Sequence, residues 1–172
     1  MINDRLLLEA LHEFYRNEYN RDKLLSILSN DKKISLRSID WFITNYSKKN
    51  NVYYMVYETS DKLPSFVEKN NFYKTNMNVF HSYKSQLKAY SKKGFDPFCR
   101  RERLLFIIDE NHSVETTIGQ LNFFKWAITN LILDYIEENK EDIEIDMNTC
   151  LKQMKLNHDK KNGSRKKRQE LS

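Results

Sequence analysis

From Thr117 to Tyr135 the chain is apolar on nearly every side of a helix. Leu121, Phe124, Ile128, Leu131, Ile132 and Tyr135 recur at helical spacing on one broad face, while Phe123, Trp126, Ala127 and Leu133 lie off it. A helix with one apolar stripe can lie on a surface, but a helix apolar all round must be covered on all sides. The chain must therefore build a domain around this segment or offer part of it to another chain. Thr117 and Gln120 have the spacing of a capping box at its start.

The flanking patterns supply the cover. Leu7, Leu11 and Phe14 predict a helix over Arg5 to Tyr19, capped by Asn3 or Asp4, with a second short helix over Lys23 to Leu28. Ser35 can cap a third, whose inner stripe is Leu36, Ile39, Phe42, Ile43 and Tyr46. Val52 to Glu58 is β-branched and aromatic and predicts a strand. Ser60 to Met77 has no clear period and contains Pro64, so it predicts a loop. Asn78 can cap a helix with Val79, Phe80, Tyr83, Leu87 and Tyr90 inward, and Gly94 stands where a helix-terminating glycine belongs. Asp96 before Pro97 can cap one further helical turn. Leu104 to Ile108 and Ser113 to Thr116 predict two strands around the turn Asp109–His112. Ile143, Met147, Cys150, Leu151 and Met154 predict a C-terminal helix. Apolar residues almost vanish beyond about residue 156. The expectation is an α+β fold: a helix-rich single domain over 1–156 with a small, mainly antiparallel sheet and a long C-terminal helix, then a disordered basic tail over 157–172.

Composition removes several function classes. Only 3 glycines occur in 172 residues, which argues against a glycine-rich phosphate loop. No apolar run approaches the ~20 residues of a membrane span, so no membrane contact is expected. Met1-Ile2-Asn3-Asp4-Arg5 lacks the features of a secretory signal, so Cys99 and Cys150 are expected to be reduced thiols inside a cell. His12, His81, His112 and His158 are scattered, and no pair has the spacing of a zinc site. No cofactor or metal is expected. Asp142, Glu144 and Asp146 cannot share one helical face at two-residue spacing, so solvated charge is their simplest role. Glu138 and Lys140 also fall in a helical pattern and are expected to be solvated. Asp109 and Glu110 with His112 and Glu115 could hold a general acid or base, but a polar hairpin turn is the simpler account of them. The chain is therefore expected not to be an enzyme.

The net charge of +5 is unevenly placed. Residues 152–172 carry eight Lys or Arg against Asp159 and Glu170, a net of +6, which leaves −1 for the other 151 residues. Lys160, Lys161, Arg165, Lys166, Lys167 and Arg168 form a basic cluster suited to any polyanion, or to a nuclear-localisation signal. In the body, Lys84, Lys88 and Lys92 recur every four residues, which would align them on one helix. Lys93, Arg100 and Arg101 extend the charge, and Tyr83, Tyr90, Phe95 and Phe98 interleave aromatics. Phosphates attract such a surface by counterion release, and aromatics can stack on bases. The bland alternatives are a solvated lysine face and local ion pairs of Arg100 and Arg101 with Asp96 and Glu102.

Three segments carry a resemblance: Ser35 to Asn50, with Asp40-Trp41-Phe42 inside it; Tyr83 to Arg103, with Gly94-Phe95-Asp96-Pro97-Phe98; and Val114 to Ile128, with Asn122-Phe123-Phe124-Lys125-Trp126. Together they resemble a group of small uncharacterised proteins encoded by nucleocytoplasmic large DNA viruses, over about residues 34–148. The group brings no assigned activity, so the resemblance implies only a setting: host cytoplasm, viral factory or virion, with the nucleus open through the basic tail. The expectation is a non-enzymatic accessory protein bound non-specifically to DNA or RNA. The alternative is a scaffold that meets a second copy or another viral protein through the 118–136 helix.

Overall fold

The computed structural model describes residues 4–29, 33–68, 73–91 and 94–170, apart from the side chains of Asp4, Tyr73 and 163–170. Lys92 and Lys93 fall outside the described residues.

Helices come first. The two expected N-terminal helices are α1 (Asp4–Arg16) and α2 (Glu18–Leu28), with the boundary between them earlier than expected. Asn17 causes the break, its side chain accepting from the amides of Tyr19 and Asn20. Ser35 caps α3 (Leu36–Trp41) by accepting from the Ser38 amide at 3.0 Å. The helix then widens into a π turn, Phe42–Tyr46, before α4 (Ser47–Lys49). That wider turn keeps Trp41, Phe42, Ile43 and Ser47 all buried.

Strand β1 (Tyr53–Glu58) lies at the centre of a three-stranded antiparallel sheet, between β2 (Pro64–Ser65) and β3 (Tyr73–Asn78). Two stretches of the expected loop over Ser60 to Met77 are thus strand. Tyr53 to Glu58 pairs without a break against Asn78 back to Tyr73, and within β3 Thr75 and Met77 turn inward while Lys74 and Asn76 are exposed, an alternation too short to stand out beside the irregular residues before it. Asn78 ends β3 and caps α5 (Val79–Ala89), accepting from the His81 amide. This helix stops at Tyr90, which is extended, and Gly94 is not in a left-handed conformation. The expected glycine stop is therefore replaced by an earlier end. β4 (Leu104–Asp109) and β5 (His112–Thr116) form a separate antiparallel ribbon.

The apolar segment is indeed central, but it is two helices. α6 (Ile118–Thr129) and α7 (Ile132–Glu138) are separated by Leu131, whose φ of 57° is left-handed. Such a conformation disfavours a side-chain-bearing residue, yet Leu131 is buried and its neighbour Asn130 gives its carbonyl to the Tyr54 hydroxyl at 2.6 Å. Thr117 caps the Gln120 amide as expected. The Gln120 side chain does not return to the cap. It accepts from Thr116 and donates to the Pro97 carbonyl at 2.8 Å instead.

α8 (Lys140–Glu170) closes the fold. Ile143 and Met147 are buried, whereas residues 152–162 are all exposed. Loss of apolar residues beyond about 156 removes the reason to pack but not the reason to coil, because Lys, Arg, Gln, Met and Leu are good helix formers. The anticipated tail thus begins on a solvated helical extension. Asp146 is not a solvated charge: it accepts from the Trp41 indole at 2.9 Å and pairs with Lys49, fixing α8 to α3 and α4. Burial alone would raise its carboxyl, but the hydrogen bonds from Lys49 and Trp41 hold it below the ordinary carboxylate range.

Candidate nucleic-acid interface

The cations expected to bind phosphate are divided by the fold. Lys84 and Lys88 sit one turn apart on α5 and are exposed. The stripe ends there, because α5 closes at Ala89 before Lys92.

Arg100 is committed elsewhere. Its guanidinium forks onto Asp96, Nε to Oδ2 and Nη2 to Oδ1, each at 3.0 Å, and stacks over the Phe98 ring. Asp96 is itself buried, and it also accepts from the Phe98 amide, a side-chain turn rather than a helix cap. The segment 94–98 is pinned to α6 by three further bonds: Asp96 amide to Gly119 carbonyl, Gln120 to Pro97, and Asn122 to Gly94. Half-buried Asp40 lies in the same neighbourhood. Burial pushes its carboxyl above the usual range, with Arg100 opposing and Asp96 adding to the push. Arg100 therefore neutralises carboxylates before it can meet phosphate. Its neighbour Arg101 is exposed and makes no ion pair among the described residues.

Fold brings in a residue that sequence spacing did not suggest. Lys48, at the end of α4, places its ammonium 5.4 Å from the centre of the Phe80 ring on α5, and Lys84 places its own 5.8 Å from the same ring. Both lysines are exposed and Phe80 is partly so. Cations over an aromatic ring gain about 0.5–1 kcal/mol at such sites, enough to orient them while leaving their N–H donors wet. The patch joins two helices, with two cations over one aromatic and Lys88 one turn further along α5. The signal was absent from the sequence because Lys48 and Phe80 are 32 positions apart.

On α8, Lys160 and Lys161 are exposed, as are Lys152 and Lys155. Arg165, Lys166, Lys167 and Arg168 lie on the last helical turns, beyond the described side chains.

Phe123, Trp126 and Leu133, whose places off the main face suggested contact with another chain, are buried within this one. The Trp126 indole donates to Ser82 at 2.9 Å. His112 Nδ1 lies 2.7 Å from Asp109, which also meets Arg21 at 3.4 Å, while Glu115 pairs with Arg103. His81 is exposed on α5. Asp109 and His112 thus meet within their own hairpin, where the Asp109 carboxyl is held low, chiefly by the Asn111 amide and His112. Among the described residues, no group of three or more His, Cys, Asp or Glu is placed to hold a metal. No helix among them is long and apolar enough to cross a membrane.

A model of a family of unknown function, DUF7197, matches residues 2–172. The chain is 40% identical over 154 residues to "Uncharacterized protein L507" of Acanthamoeba polyphaga mimivirus, covering 87% of this chain and 53% of the relative. The chain thus spans about half the length of that relative. No solved structure matches it.

Proposed function

This chain belongs to the family of unknown function DUF7197, which has a giant-virus relative, and from that premise we propose that it is a non-enzymatic accessory protein that binds nucleic acid through its phosphate backbone. The observation that carries the proposal is the pair Lys48 and Lys84 over the single ring of Phe80, with Lys88 one turn further along α5. Cations bring the backbone in by releasing counterions, and a partly exposed aromatic offers a stacking face that is indifferent to sequence. Lys160 and Lys161 on the exposed part of α8, with Arg165, Lys166, Lys167 and Arg168 beyond them, add a non-specific arm. The giant-virus relative sets the proposed place of action in an infected cell: viral factory, virion or nucleus.

Binding of labelled DNA and RNA oligonucleotides to the full chain tests this. Affinity is expected to fall steeply with salt and to fall when Lys48 and Lys84 are both replaced by Ala. Absence of binding at low salt would end the proposal.

A second reading has its own observation. Leu105 and Ile107 stand exposed on the outer face of the β4–β5 ribbon. Such a face suits a protein partner, and the family relative is itself longer than this chain. A monodisperse monomer in light scattering, unchanged on Leu105→Ser, would count against a self-association role.

A further inference from the structure

A cleft of about 600 Å³ opens where the segment before β4 passes α1 and the first turn of α6. It lies within the size range of small-ligand sites. Arg101 and Arg103 supply its charge, and Leu8, Leu104 and Ile118 supply its apolar wall. Arg101 is available, because its neighbour Arg100 alone takes the Asp96 fork. The fork and the bonds to α6 hold the strand entering the cleft, so Arg101 projects from a fixed backbone. Arg103 is paired with Glu115, but both are about 60% exposed, and an exposed pair of this kind yields readily to a second anion. Glu102 also lines the cleft. Its carboxylate would repel a second phosphate group placed near it.

We propose that this cleft takes one nucleoside monophosphate unit, its phosphate on Arg101 and Arg103 and its base against Leu8, Leu104 and Ile118. Guanidinium groups match a phosphate's oxygens in a planar fork, and a base presents an apolar face to such a wall. One phosphate fits better than three, because Glu102 stands among the binding groups. The ligand is a free nucleotide or the phosphorylated end of a strand. In the strand-end form the proposal rests on the nucleic-acid function above; in the free form it stands alone.

Calorimetric titration of the full chain with AMP, adenosine and inorganic phosphate tests it. Saturable binding of AMP is expected, with adenosine and phosphate each at least tenfold weaker. Replacing Arg101 and Arg103 together by Ala should weaken AMP at least tenfold, the scale of one lost charged hydrogen bond, and Arg101→Lys should restore part of it. Both arginines are exposed, so the fold survives their loss. The pair Lys48→Ala, Lys84→Ala should leave AMP untouched. No binding of AMP at millimolar concentration, or binding of phosphate as tight as that of AMP, overturns the proposal. Loss of AMP binding with oligonucleotide binding intact would sink this cleft alone, and the reverse would sink the Phe80 patch alone. Competition between 5′-phosphorylated and 5′-hydroxyl oligonucleotides separates the sources: a preference for the phosphorylated strand assigns the strand end, and equality assigns the free nucleotide.

Discussion

Arg100 holds Asp96 by two parallel bonds of 3.0 Å, so a prominent cation of the basic segment is bound to a buried carboxylate of its own loop. This pairing divides adjacent arginines into two kinds. Arg100 is structural, and Arg101 makes no ion pair among the described residues.

Asp96→Asn should therefore raise oligonucleotide affinity. The amide can still accept from the Phe98 N–H, but the charge pairing is gone and Arg100 is released. A stability cost of about 1–2 kcal/mol is expected, because Asp96 is buried while Arg100 is largely exposed. Anisotropy titrations of both proteins check this. Equal or weaker binding by the variant would show that Arg100 has no access to the ligand.

The pairing of Asp146 with Lys49 and Trp41 makes stability depend on pH in a defined direction. Its folded carboxyl is held below the ordinary value of about 4. The stabilisation is thus present above the unfolded value and is lost as pH falls through the lower folded one. Asp146→Asn should be less stable than the native chain at pH 6, and the gap should narrow as pH falls below about 4. Urea denaturation at several pH values measures the gap. A gap that stays constant from pH 6 to pH 3 would contradict the assignment.

Tyr15 is fully buried and its hydroxyl donates to the Leu121 carbonyl at 2.7 Å, tying α1 to α6. Tyr15→Phe keeps the ring and removes the donor. A loss of about 1–2 kcal/mol is expected in urea denaturation. No measurable loss would mean that α1 is held by apolar packing alone.

What the sequence made legible was local. Ser35, Asn78 and Thr117 each cap the helix expected of them, because a cap needs only its own first turn. The β4–β5 hairpin was legible for the same reason, as neighbouring segments with a short turn. Long-range effects were not. Tyr73 to Asn78 pairs with β1 along its whole length, and its own signal is only the short alternation of Tyr73, Thr75 and Met77 with Lys74, Asn76 and Asn78. The break at Leu131 was hidden because the left-handed position holds a leucine where glycine or asparagine would have announced it. At the candidate site, the spacing of Lys84 and Lys88 identified one helix face. The contribution of Lys48 came only from α4 packing beside α5.

The most direct measurement is the salt dependence of single-stranded oligonucleotide binding by the full chain and by its Lys48→Ala, Lys84→Ala variant. The account predicts weaker binding by the variant and a slope of log K against log salt shallower by roughly 0.7 for each lysine removed. Native binding with an unchanged slope in the variant would contradict it, because the Phe80 patch would then make no contact with phosphate.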